Sequence, residues 1–167
     1  MAWTHSPGWR PPSASTLKAV GNGGRYGAMA ILFTNPSEPL RDLASEYFSS
    51  STSFAGTDNS RVVTMWNHGI PLGDRPIFKR FADATFGLAQ LKRLDNGIFG
   101  TITLDPADPL ASALADLIEA GALKFSSGSG VEFVRRAADG HIRQWPVLEL
   151  SLTSTPCEFR LPKIRRL

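Results

Sequence analysis

The strand-like runs of this chain do not alternate with helices, and no other feature of the sequence restricts the fold as much. "RYGAMAILFT", "RVVTMWNH", "FGLAQLKRL", "GIFGTITL", "GVEFVRRA" and "HIRQWPVLELSLT" are short and rich in β-branched, aromatic and aliphatic residues. Turn signals such as "NPSEP", "GIPLGDRP" and "ADG" punctuate them. A parallel sheet would need a crossover helix between successive strands. The pattern instead predicts an α+β domain built on an antiparallel sheet or small barrel. "DNG" predicts a tight hairpin, since Asn-Gly favours left-handed turn geometry.

Two stretches carry a helical pattern. "DPADPLASALADLIEAGA" has Asp caps, Pro in its first turn, Leu110, Leu114, Leu117 and Ile118 on one face, and Gly121 as a stop. "EPLRDLASEYF" has Pro39 at its start and Leu40, Ala44 and Tyr47 at helical spacing, which predicts a short helix. At 167 residues the chain accommodates one domain with a hydrophobic core. Residues 1–23, rich in Pro, Gly and Ser, are expected to form a flexible arm. Residues 24–158 are expected to form the domain proper, and 159–167 a basic, solvated tail ending "LPKIRRL".

Composition removes several function classes. Cys157 is the single cysteine and His5, His68 and His141 are scattered, so neither an intrachain disulfide nor a metal or cofactor site is expected. The net charge of +3 is modest, and the basic residues are not interleaved with aromatics. A nucleic-acid partner is therefore not expected. There is no apolar run of about 18 or more residues and no signal-peptide core, so a cytoplasmic, membrane-free protein is predicted.

The candidate chemistry lies in three places. "ALKFSSGSGVEF" sets Ser126, Ser127, Gly128 and Ser129 between two apolar runs, as a turn or a strand end. A serine hydroxyl becomes a nucleophile only when a base takes its proton and a third group orients that base. His68, at the end of the "RVVTMWNH" strand, is a candidate base with an ordinary pKa near neutrality. In "VLELSLTST", Leu148, Leu150 and Leu152 share one face, and Glu149 shares the other with Val147 and Ser151. If that second face is solvated, Glu149 is a surface carboxylate; if it is covered, Glu149 requires a partner such as a histidine.

In their order, "NHG", a helix ending in Gly, "LKFSSGSG" and "DGHIRQWPVLELSLTSTP" closely resemble the prohead maturation proteases of tailed bacteriophages. These are serine proteases related in fold to the herpesvirus assemblins. The resemblance runs from about Asp42 to Glu158. It implies a β-barrel-like core with flanking helices and peptide-bond hydrolysis through an acyl-enzyme. His68 matches the general base, Ser126 the nucleophile of an S-x-G motif with Ser127 as the alternative, and Glu149 the group that orients the base. In the herpesvirus relatives a second histidine fills that last role; His141 is the only candidate for it here, and its place beside the turn "ADG" predicts a solvent-exposed side chain instead. Ser129 stands where many members carry an aromatic residue, and the doubled serine leaves the register open by one position. Strand side chains alternate faces, so only one of the two serines can point at His68.

The implied substrates are the major capsid protein and the scaffold protein, and the chain itself, cut inside the procapsid in the bacterial cytoplasm; self-association is compatible with this. The alternative is a non-catalytic capsid-assembly or scaffold module of the same fold. An esterase is disfavoured by the absence of a G-x-S-x-G elbow.

Overall fold

The computed structural model describes Thr4–His5, residues 23–74 and residues 76–167. Its centre is an eight-stranded sheet whose strands, in chain order, are β1 (Thr4–His5), β2 (Gly24–Leu32), β3 (Arg61–Trp66), β4 (Thr85–Leu94), β5 (Gly97–Leu104), β6 (Lys124–Gly130), β9 (Glu149–Thr153) and β10 (Arg165–Arg166). Across the sheet they lie in the order β1-β6-β9-β3-β4-β5-β2-β10. The short β7 (Arg135–Arg136) and β8 (Ile142–Gln144) pair separately. All neighbours in the large sheet run antiparallel except β3–β9 and β1–β6. Among the described residues, the α-helices α1 (Pro76–Asp83) and α2 (Pro109–Glu119) complete an α+β fold.

The sheet curls into an open half-barrel around its apolar face. Phe125 on β6, Leu150 and Leu152 on β9, Val62 and Trp66 on β3, Ala89 and Leu91 on β4, and Ile98 and Ile102 on β5 converge in one core. Gly100 marks the tightest approach across it. A Cβ there would lie 2.6 Å from Leu150 Cδ2 and 3.6 Å from Ala30 Cβ, so β5 and β9 approach each other across the interior. α2 covers this core through Ala111, Leu114 and Ile118. Asp108 caps it by accepting from Leu110 N at 2.8 Å, and Gly121 ends it at φ 68°. Leu117, expected on the buried face, is 38% exposed, and Ala111 takes its place.

Other expectations change. No helix forms in "EPLRDLASEYF". Asp42 Oδ1 accepts from Ala44 N and Glu46 N, and Ser45 adopts a left-handed φ of 62°, so the backbone is bound in turns. Leu40 and Leu43 consequently remain exposed. α1 begins at the last residue of the turn signal "GIPLGDRP" and runs over residues that the sequence pattern assigns to no element. The hairpin at "DNG" forms, but its two loop residues are Asp95 and Asn96, and Gly97 already opens β5 at φ 152°. "GVEFVRRA" folds as a single 3-10 turn followed by β7 instead of one strand. "HIRQWPVLELSLT" is interrupted between β8 and β9, around Pro146, which has no N–H to give a ladder.

The basic end of the chain, expected to project as a tail over 159–167, returns to the domain. Leu161 and Ile164 are buried, and Arg165–Arg166 pair with Tyr26 and Gly27 of β2. The arm expected over residues 1–23 lies outside the described residues except for Gly23 and for β1, whose backbone pairs with Ser129 and Gly130. Among the described residues, no helix is long and apolar enough to cross a membrane.

Candidate active site

Three adjacent strands supply the three candidate residues. β9 is the common reference, with β3 parallel on one side and β6 antiparallel on the other. Register puts Ser126 opposite Ser151 and Gly128 opposite Glu149, so these four share one face, the face away from the main core. Phe125, fully buried on the opposite face, pins this parity. A one-residue slip would drive Phe125 out of the core and rotate Ser127 to the site instead. The serines thus lie within β6, not at a turn or strand end.

Past Trp66 the chain enters a left-handed turn: Asn67, His68 and Gly69 have φ of 43°, 60° and 71°. For an L-residue this conformation costs about 1–2 kcal/mol. Alternating hydroxyls on β9 hold it. Ser151 Oγ accepts from His68 N at 2.9 Å, and Thr153 Oγ1 donates to Asn67 Oδ1 at 3.0 Å. The turn is closed by Ile70 N donating to Asn67 O at 3.0 Å. It redirects the imidazole back over β9 towards β6, which a continued strand would not do.

The ring lies between Glu149 and Ser126. His68 Nδ1 is 2.6 Å from Glu149 Oε1, and Nε2 is 3.0 Å from Ser126 Oγ. The carboxylate partner fixes the tautomer by inference: Nδ1 carries the proton and Nε2 presents its lone pair to the serine hydroxyl. Glu149 is fully buried, Ser126 is 8% exposed and the His68 side chain 10% exposed. The second carboxylate oxygen, Oε2, accepts from Ser151 Oγ at 2.6 Å. Ser151 therefore links the His68 backbone to the carboxylate that orients its ring. Burial of Glu149 answers the question left open by strand alternation: both faces of β9 are covered, and the carboxylate has its partners.

Space for that carboxylate comes from a missing side chain. A Cβ on Gly128 would fall inside the van der Waals envelope of Glu149 Oε1 and lie 2.8 Å from Cδ and 3.1 Å from Cγ. Gly128 is thus the cradle of Glu149.

The alternatives raised by the sequence lie elsewhere. Ser127 faces the interior, where its Oγ accepts from Trp145 Nε1 at 3.2 Å. The His141 ring stacks on Tyr47 and its Nε2 is 3.0 Å from Ser49 Oγ. It is half-buried rather than solvent-exposed. Beside it the Asp139 carboxyl is held below its ordinary range, first by the His141 backbone N–H and then by the Tyr47 hydroxyl. Sequence reasoning gave no role to Asn67 or Thr153, and it noted Ser151 and Gly128 without the contacts they make to His68 and Glu149. The available signal was the period-two polar series Glu149, Ser151, Thr153, which an outward-facing strand would also show.

Among the described residues, no cluster of three or more His, Cys, Asp or Glu is arranged to hold a metal ion. The face instead suits proton transfer between a hydroxyl and an imidazole backed by a buried carboxylate. No protein-family model, curated protein or solved structure matches this chain.

Proposed function

We propose that this chain is a serine endopeptidase of the prohead-maturation type, cutting scaffold protein, a segment of the major capsid protein, and itself. The observation that carries the reading is the hydrogen-bond chain from Ser126 Oγ through His68 to Glu149. The motif resemblance over residues 42–158 supplies the substrate class, and the curled, mostly antiparallel sheet is compatible with the assemblin-related fold it implies.

In the proposed reaction His68 Nε2 takes the hydroxyl proton as Ser126 Oγ attacks the scissile carbonyl. The tetrahedral intermediate collapses as His68 returns the proton to the leaving amine, giving an acyl-enzyme. Water, deprotonated by the same nitrogen, releases the acyl group and restores the hydroxyl. While the imidazole carries both protons, the buried Glu149 carboxylate stabilises its charge and Ser151 fixes the carboxylate.

The test is co-expression with the capsid and scaffold proteins of the same genome, paired with labelling by a fluorophosphonate. Processing and labelling that vanish in Ser126→Ala and persist in Ser127→Ala support the reading. Processing that survives Ser126→Ala overturns it. Labelling of Ser126 without processing of either protein would retain the hydrolase and reject the capsid substrates.

A further inference from the structure

The half-barrel does not close between β6 and β2, and a cavity occupies this seam beside Ser126. It has a volume of about 30 Å³, and its walls include Ala30, Ile31 and Leu32 of β2, both Ser126 and Ser127 of β6, and Trp145. Three successive β2 residues reach one cavity because a register shift between Met29 and Ile31 breaks their alternation. On the far side of Leu32 lies a second, wider depression of about 470 Å³, reaching Asn35, Leu40 and Arg160. Leu32 is common to both walls and is half-buried.

Two carboxylates edge the narrow cavity, Asp42 and Glu158, yet neither is set to receive a cationic side chain. Both oxygens of Glu158 are taken by Arg160. Asp42 Oδ1 accepts two backbone N–H groups and Oδ2 accepts from Cys157 Sγ. The rest of the lining is largely aliphatic and aromatic. A volume of this size holds roughly two to three water-sized groups, the extent of an alanine or valine side chain.

We propose that Leu32 is a specificity-determining residue. It partitions the seam into a narrow pocket for a small apolar side chain at the cleaved bond and a broad site for a bulky residue further along the peptide. This inference rests on the reading of Ser126 as a nucleophile. Shortening Leu32 joins the two spaces and admits large side chains next to the cleaved bond.

The experiment uses acetyl-tripeptidyl diphenyl phosphonates whose residue at phosphorus is Ala, Val, Phe or Lys. Serine Oγ attacks phosphorus and phenoxide leaves, so the rate is read from the mass of the full-length chain. For the unmodified protein, Ala and Val probes should react at least ~10-fold faster than Phe and Lys, since each misfitted methylene carries about that discrimination. Leu32→Ala should raise the Phe rate ~10-fold and leave the Ala rate within about two-fold. Leu32→Val, a milder change for which folding is safer, should give an intermediate Phe rate. Equal Ala and Phe rates in the unmodified protein, or an unchanged Phe-to-Ala ratio in both variants, with Ser126 still labelled, overturns the assignment of Leu32 and leaves the nucleophile in place. Absence of Ser126 labelling by every probe overturns both.

Discussion

Gly128→Ala is the smallest substitution that should disable the site without touching any of its three residues. The φ of Gly128 lies outside the left-handed region, so alanine meets no backbone penalty there. The only obstacle is space. The new methyl would sit 2.8 Å from Glu149 Cδ and closer still to Oε1. Because β9 pairs directly with β6 at this position, the ladder cannot separate to make room, and the carboxylate must swing aside. The displacement needed is on the order of 1 Å, which at a catalytic constellation costs about 10²-fold in rate. Full loss of the orienting carboxylate sets the other bound, about 10⁴-fold. The rate of fluorophosphonate labelling of Ser126 should therefore fall between those limits. Overpacking of this kind also destabilises by about 1–3 kcal/mol. In a chain of this size that is about 2–4 °C of melting temperature per kcal/mol. Adding Glu149→Asp, which shortens the carboxylate, should relieve the clash, so the double variant should be less destabilised than the sum of the singles. An alanine variant that labels at the unmodified rate and melts at the same temperature would refute the cradle argument.

Other perturbations separate the members of the site from their neighbours. Ser126→Ala should abolish labelling, whereas Ser127→Ala should keep it and cost about 1 kcal/mol of stability in a denaturant melt, the loss of the acceptor for Trp145. Glu149→Gln should cut the labelling rate about 10⁴-fold because an amide can no longer enforce the tautomer. His141→Ala should leave that rate unchanged, since its ring engages Ser49 and Tyr47 instead. Asp139 gives a pH signature. Its carboxyl pKa is lowered from the ordinary 3.8, so its contribution is complete above that value and is lost as pH falls through the depressed one. Asp139→Asn should accordingly lower the melting temperature at pH 7 more than at the acidic end of a pH series.

The parts of the site legible in the sequence were those governed by local chemistry. A serine beside glycine, a histidine after a hydrophobic strand and a carboxylate in an alternating strand are each visible residue by residue. The pairing of those strands is not, and it alone decides between Ser126 and Ser127: both are equally placed along the chain, and only the burial of Phe125 against Leu152 turns one of them towards His68. The same applies to Glu149, whose alternation fitted a solvated face until the covering of that face was known. The failed helix around Leu40 and Ala44 has a local cause. Asp42 competes for the backbone with its own carboxylate, and short polar side chains regularly win that competition outside helix interiors. The end of the chain misled for the opposite reason. Its charge implied solvation, while Leu161 and Ile164 between the charges carry it back into the core.

β9 determines the position of His68 independently of Ser126. Ser151 holds the His68 backbone, Thr153 holds Asn67, and Glu149 holds the ring, all from one face of one strand. Each hydrogen bond is worth about 1 kcal/mol net. That is the scale of the left-handed strain in the turn, which persists because several contacts over-determine it. Ser126 then approaches from the other side through the β6–β9 ladder, with no contact of its own needed to place His68. The relative position of hydroxyl and imidazole therefore reduces to two register choices against the same strand. Both are enforced by apolar residues on the opposite face, so the packing of the core sets the geometry of the site.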